Sequence, residues 1–275
     1  MLSGLTHVGV AMRQMVQRAK FRLAPPAAVA ALPPPDLSAH LKSATLSEFD
    51  SKSLLRDAGI ALPDEVLVSS RGELDAAIAR AGFPLVMKIQ SCDIPHKSEA
   101  GGVRVNIASK GEAFAAYQAL LESVGRHRPD AEIQGVLVGP MAKKGVEIIV
   151  GTLLDATFGP MIMVGLGGIT TELFKDVIYR PAPVSAAEAS SMLGELKAAP
   201  LLNGFRGAAK ADIPALSQLI SQVSQLAARF SDKISEIEIN PVLVHGEGKG
   251  VTIVDALVVP KTPLVVPANA GTHTP

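Results

Sequence analysis

Between residues 46 and 259 the chain switches repeatedly between two hydrophobic rhythms. Stretches with apolar side chains three and four apart alternate with short β-branched runs, the signatures of helices packed on sheets. Ser47 with Asp50, Ser70 with Glu73, Ser109 with Glu112 and Ser185 with Glu188 have the spacing at which a hydroxyl and a carboxylate satisfy the open amides of a first helical turn. Each pair predicts a helix start, and Gly59, Gly82 and Gly125 predict the ends of the first three. A further helix is expected from Asp212 and Pro214 to Phe230, because Leu216, Leu219, Ile220, Val223 and Leu226 keep one face apolar. The strand-like runs are 66–68, 85–89, 103–107, 133–138, 146–153, 161–164, 236–244 and 251–259. Several neighbouring strands have no helix between them, so the pattern predicts an α+β fold with antiparallel pairing rather than a parallel doubly wound sheet.

The two ends differ from this body. Residues 1–23 place Val8, Met12, Met15, Val16 and Ala19 on one helical face and Arg13, Arg18, Lys20 and Arg22 on the other, which predicts a basic amphipathic helix that docks on protein. Residues 24–45 begin with a run of alanine and proline, the composition of a semi-rigid linker. Residues 260–275 carry prolines and small polar residues without periodicity and are expected to form a disordered tail.

Charge narrows the function. Twenty-six Lys and Arg balance 26 Asp and Glu, so no global field exists to hold a polyanion, and a dedicated nucleic-acid binder is not expected. A single cysteine, Cys92, excludes an internal disulfide framework and a multi-thiolate metal site. With no long apolar span and no secretory leader pattern, the chain is expected to be cytoplasmic.

The turn Gly246-Glu247-Gly248-Lys249 allows one register to be worked out. A two- or four-residue loop pairs residues whose numbers sum to 495, which sets Asn240 opposite Asp255, with Glu236 and Glu238 on the same face. A carboxylate and an amide oxygen on one strand pair suit magnesium, and equally a plain polar sheet surface. Lys88, inside the apolar run 85–89, needs a counter-charge, which a nucleotide phosphate would supply. The loop 90–102 holds Asp93, His96, Lys97 and the pair Gly101-Gly102; its imidazole suits proton shuttling, metal ligation or phosphoryl transfer, and spacing does not choose. Gly165, Gly167 and Gly168 follow an apolar strand and fit an anion cradle or a tight turn equally well.

Taken together, Lys52 in SKSLLRDAGI, Lys88 in PLVMKIQS, His96 in DIPHKSEAGGV, Glu147 in KKGVEIIVG, the run GLGGITTELFKDVIYRPAPV, and Glu238 with Asn240 in EINPV resemble one family. They are similar to the ATP-grasp part of the ADP-forming acyl-CoA synthetases, the acetate–CoA ligase type, which are relatives of the succinyl-CoA synthetase β chain. The resemblance covers 46–259. It implies an ATP-grasp fold in which two α/β lobes clasp a nucleotide, the smaller at about 82–141 and the larger made of 46–81 and 142–259.

By that resemblance ATP or ADP and Mg2+ are the cofactors. Lys88 would contact the phosphates, the hinge backbone Val136, Leu137, Val138 and Gly139 would meet the adenine, and Lys52, Glu147, Gly167 and Gly168 would complete the nucleotide site. Asn240 and Asp255 match the magnesium ligands. His96 matches a histidine that relays a phosphoryl group, with Lys88 and Glu238 acting beside it and Lys97 offsetting charge; Glu172 and Arg180 fall in the glycine-rich block. The implied reaction is acyl-CoA, ADP and phosphate giving acid, CoA and ATP, which needs a partner, a CoA-binding ligase α subunit; residues 1–23 resemble the closing helix of the ligase domain and would be either a docking element for that subunit or a remnant of a fused ancestor. Alternatives are a nucleotide-sensing module without turnover and another ATP-grasp ligase that would not need His96.

Overall fold

The computed structural model describes Met12, Leu37, residues 40–42, 46–94, 97–168 and 176–261. The chain divides into two compact units, Met1–Ala31 and Leu32–Pro275. The expected N-terminal helix, most of the linker and the C-terminal tail lie outside the described residues, apart from an exposed, helical Met12. Among the described residues no helix is long and apolar enough to cross a membrane.

Among the described residues of the second unit the strands form two sheets, and every strand pair is antiparallel. The first has the order β1-β4-β2-β3, from β1 Val66–Val68, β2 Leu85–Gln90, β3 Val103–Ile107 and β4 Gly135–Pro140. Its core gathers Met87, Ile89, Val136 and Val138 from the sheet with Leu74 and Ile78 of α2 (Leu74–Ala81) and Tyr117 and Leu120 of α3 (Lys110–His127). The second sheet runs β10-β8-β5-β6-β7, with β9 also paired to β8. These are β5 Val146–Asp155, β6 Gly159–Leu166, β7 Val177–Pro181, β8 Ile234–Val244, β9 Val251–Ile253 and β10 Ala256–Pro260. On it pack α1 (Glu48–Asp57), α4 (Ala186–Glu195), the short α5 (Ala199–Leu202) and α6 (Ile213–Arg229). Each fully buried Leu or Ile in these two cores contributes roughly 1.5–3 kcal/mol of transfer free energy.

The helix starts follow from their caps. Ser47, Ser109 and Ser185 each accept the backbone amide three residues on, at 3.2–3.3 Å. At Ser70 the hydroxyl instead donates to Glu73 at 3.0 Å, and a single 3₁₀ turn, Arg71–Glu73, precedes α2. α3 does not stop at Gly125 but continues to His127, since that glycine is α-helical and the His127 ring holds the Ser123 carbonyl at 2.8 Å. Residues 66–81 do not join the larger sheet: β1 is stitched to β4 through Val66↔Val138 and Val68↔Val136, and α2 buries its apolar face in the same core.

The last hairpin keeps one register from Val251 to Val259, and an irregularity then sets Pro260 opposite Ile234. Val244↔Val251, Val242↔Ile253, Ile239↔Ala256 and Glu236↔Val259 all sum to 495. The run 251–259 is nevertheless two strands. At the break the Asn240 amide donates to the Asp255 carbonyl at 3.2 Å and the Val254 amide to the Pro241 carbonyl at 3.0 Å, and the Val254 carbonyl turns inward.

Candidate functional site

The Val254 carbonyl marks where the two sheets meet. From α1, at its first turn, comes Glu48; from the same helix one turn later comes Lys52, whose ammonium lies 2.7 Å from the Glu48 carboxylate. From β2 comes Lys88, 2.6 Å from the same Glu48 oxygen and 2.6 Å from the Val254 carbonyl. Lys52 also donates to that carbonyl at 2.8 Å and to both oxygens of Glu65 at 2.7 and 3.0 Å. Lys97, from the loop after β2, reaches the other Glu48 oxygen at 3.1 Å and Asp255 at 3.4 Å. Three ammonium groups therefore share one carboxylate whose side chain is 1% exposed.

Local chemistry explains each placement. Glu48 follows the Ser47 cap, so the open amides of the helix N-terminus favour its negative charge. Gln90, next but one to Lys88 on β2, accepts the Phe49 amide at 2.9 Å and so fastens α1 to that strand. Lys97 is brought in by a tight turn in which the Gly102 amide donates to the Lys97 carbonyl at 2.7 Å. A Cβ at residue 102 would sit 2.6 Å from the Ile89 side chain, so the turn closes against β2 only with glycine there.

Protonation follows from the same contacts. Burial alone would raise the Glu48 carboxyl, but Lys88, Lys52 and Lys97 together outweigh it and hold the group far below its ordinary range. Burial lifts Glu65, and Lys52 offsets only part of the effect. Asp255 sits at the rim with its side chain 36% exposed, yet the surrounding protein and the like charge of Glu48 still push its carboxyl upward. Desolvation would lower Lys88, and Glu48 and Asp255 reverse that, so it stays firmly an ammonium.

Above this floor opens a cleft of about 680 Å³, within the roughly 300–1,000 Å³ common for ligand sites. One wall comes from the four-stranded sheet and the strand exit after it: Val86, Lys88, Val105, Pro140 and Met141. The facing wall comes from the other sheet: Glu147, Asn240, Leu243, Ile253 and Asp255. The lining mixes apolar side chains with charged ones, among them Lys88, Lys143, Glu147, Lys249 and Asp255, a combination that suits a polyphosphate attached to a flat base.

Several sequence-derived residues converge on this cleft. Lys88, Glu147, Asn240 and Asp255 line it. Glu238 stands behind Asn240, accepting its amide N–H at 3.1 Å, which turns the Asn240 carbonyl oxygen the other way. Asp255 spends one oxygen on the Ala256 amide at 2.8 Å and turns the other toward Lys97. An amide oxygen and a carboxylate on paired residues at the cleft edge are hard donors that fit a magnesium ion, which takes few protein ligands and fills its sphere with water and phosphate oxygens. Gly167 and Gly168 pack on Glu147: the Gly167 amide donates to its carbonyl at 2.7 Å, and a Cβ at 167 would lie 2.9 Å from the Glu147 Cβ.

Other assignments change. Lys52 is 1% exposed, absent from the cleft wall, and its three N–H donors are matched by Glu48, Glu65 and Val254, so here it braces the floor. Val136, Leu137 and Val138 sit inside β4 with β1 on one side and β2 on the other, and Gly139 is paired to Val86. Their amides and carbonyls serve the sheet; the chain that follows, Pro140 to Lys143, lines the cleft, with the Met141 amide donating to the Pro84 carbonyl at 2.9 Å. Arg180 is paired with Glu195 at 2.6 Å and does not line the cleft. His96 and Glu172 lie outside the described residues. Glu48 and Glu65, which complete the floor, were not singled out from sequence; the only local signal was the helical i,i+4 spacing of Glu48 and Lys52.

Residues 39–259 match the ATP-grasp domain family. Subunit beta of the ADP-forming acetate–CoA ligase II of Pyrococcus furiosus is 40% identical over 214 residues, 78% of this chain and 91% of that protein. The ADP-forming 4-hydroxybutyrate–CoA ligase of Nitrosopumilus maritimus is 41% identical over 214 residues, but the match covers only 30% of that longer protein. Among solved structures, the dinucleotide forming acetyl-coenzyme A synthetase 1 of Ca. Korarchaeum cryptofilum, in complex with coenzyme A, Ca-AMPCP and HgCl+, superposes with a TM-score of 0.76 at 36% identity, covering 90% of this chain and 99% of that one. The same protein with coenzyme A and Mg-AMPPCP, its phosphohistidine segment pointing towards the nucleotide binding site, superposes at 0.69 with 32% identity and the same coverage. The chain belongs to the ATP-grasp family.

Proposed function

We propose that this chain is the nucleotide-binding subunit of an ADP-forming acyl-CoA synthetase, moving a phosphoryl group between ATP or ADP and a phosphohistidine while a CoA-binding α subunit handles the acid and thioester. The observation that carries the reading is that Lys88 and the Asn240–Asp255 pair line one cleft from opposite sheets. The match to beta subunits of acetate–CoA ligases over nearly their whole length supports the division of labour.

In this reading the base lies between the apolar walls, near the backbone of Pro140 to Lys143, and the phosphates point to the charged floor. Lys88 has two N–H groups committed, to Glu48 and to Val254, and directs the third into the cleft at a phosphate oxygen. Asn240 and Asp255 would hold Mg2+, which when bound neutralises phosphate charge. Glu238 orients Asn240. His96 accepts and donates the phosphoryl group: its N–P bond breaks as an ADP β-phosphate oxygen forms the new O–P bond, and neutral imidazole is regenerated. The walls exclude water that would otherwise hydrolyse the phosphoramidate.

The test is phosphoryl transfer from labelled ATP with magnesium and a candidate α subunit. Acid-labile, base-stable label on this chain, absent in His96→Ala, is the expected result. Label that persists in His96→Ala removes the relay. Nucleotide binding with no transfer in the presence of the partner replaces this reading with that of a sensing module.

A further inference from the structure

The Asp255 carboxylate already holds a cation, and it belongs to the chain. Its Oδ1 accepts the Ala256 amide at 2.8 Å, so Oδ2 is the oxygen turned outward, and Lys97 Nζ lies 3.4 Å from it. Lys97 is held from behind at 3.1 Å by Glu48, a partner 1% exposed, whereas Asp255 is 36% exposed. The carbonyl of Lys97 accepts the Gly102 amide at 2.7 Å, which ties its backbone to the strand that follows. We propose that Lys97 is a built-in stand-in for the divalent cation: its ammonium keeps Asp255 paired until a metal arrives, and the metal and the Lys97 contact are alternatives on the same carboxylate. The inference rests on the reading that Asn240 and Asp255 receive the cation.

Charge arithmetic and geometry both lead there. Lys52, Lys88 and Lys97 face Glu48, Glu65 and Asp255, so the floor balances its own charges through direct contacts. A dication on Asp255 with Lys97 still in contact would crowd like charges in a part-buried site, where they are poorly screened. Lys97 can give up the long contact to Asp255 and keep the short one to Glu48, so release leaves no buried ammonium unpaired. The released ammonium stays on the carboxylate that also holds Lys88, so its positive charge remains next to the cleft-lining lysine.

The test is Mn2+ binding to the full chain without nucleotide, followed by the electron paramagnetic resonance signal of free Mn2+, in the wild type and in Lys97→Met, Lys97→Gln, Lys97→Arg and Asp255→Asn. The methionine and glutamine variants are expected to bind Mn2+ on the order of tenfold tighter, the loss of one charge-assisted competitor, and the arginine variant to behave as the wild type. Equal or weaker binding in the methionine and glutamine variants, with Asp255→Asn still losing the metal, overturns the inference alone. Mn2+ binding that is unchanged in Asp255→Asn overturns the underlying reading of the cation site. A mere bracing role for Lys97 would lower thermal stability in these variants without tightening the metal.

Discussion

The floor of the cleft and its rim use the same residue types in opposite ways. At the floor, Glu48, Lys52, Lys88 and Glu65 carry side chains 1–7% exposed, with ion pairs of 2.6–2.7 Å. At the rim, Lys97 and Asp255 are 11% and 36% exposed, and their contact is 3.4 Å. At the floor, removing Glu48 takes the shared partner from three ammonium groups and removing Lys52 leaves Glu65 without its ion pair, whereas the rim is built loosely enough to exchange partners. The difference separates residues that position from residues that bind.

The largest effects should therefore fall on the floor and appear as stability. Glu48→Gln and Lys52→Met each leave buried charge without its partner and should cost about 3–5 kcal/mol in urea unfolding. Lys52→Met should nevertheless leave the nucleotide affinity of the folded fraction close to wild type; a large loss of affinity would put Lys52 back in the binding set. Lys88 stands at the boundary. Lys88→Met should weaken nucleotide binding about ten- to a hundredfold, the loss of a charge-assisted hydrogen bond, measured by calorimetry with AMPPCP and magnesium.

A packing change comes next. Gly167→Ala pushes a methyl to 2.9 Å from the Glu147 Cβ and should cost about 1–3 kcal/mol while shifting Glu147 at the cleft wall. Thermal unfolding unchanged from wild type would show that the two segments part easily.

The smallest effect is in pH. The Glu48 carboxyl is held below its ordinary value of 4.5, so the stability it contributes is complete above that value and is lost as pH falls through the depressed folded value. Glu65 is raised and acts with the opposite sign: stability is lost as pH rises from its ordinary value through the raised one. Acidification below about pH 4.5 should thus destabilise the wild type more steeply than Glu48→Gln, as read from urea midpoints across that range. Parallel slopes would mean that Glu48 is not the titrating anchor.

How much of this was legible in the sequence depends on how local the cause was. The caps at Ser47, Ser109 and Ser185 and the hairpin register that pairs Asn240 with Asp255 follow from residues close in sequence or joined by one turn, and the structure reproduces them. The floor was harder to read. Glu48 and Lys88 are 40 residues apart and Lys52 and Val254 are 202 apart, so no spacing could announce their meeting. The Glu48–Lys52 pair has the spacing of an ordinary solvent-facing helical ion pair; only the packing of α1 against β2 and the β9–β10 break makes it buried. β1 is three residues long, too short for periodicity to say which sheet it joins. The adenine-contacting backbone is placed at 136–139 by the family resemblance alone; Val136, Leu137 and Val138 are claimed on both sides by β1 and β2, and Gly139 by β2, pairings between segments that no local spacing announces.

The central claim is that Lys88 and the Asn240–Asp255 pair grip one metal–nucleotide complex between them. Calorimetric titration of AMPPCP with magnesium into the wild type, Lys88→Met and Asp255→Asn tests it most directly. The account predicts one equivalent bound by the wild type, with affinity lost in Lys88→Met whether or not magnesium is present and in Asp255→Asn only when it is. Binding that is unchanged in both variants, or magnesium dependence that survives Asp255→Asn, would contradict it.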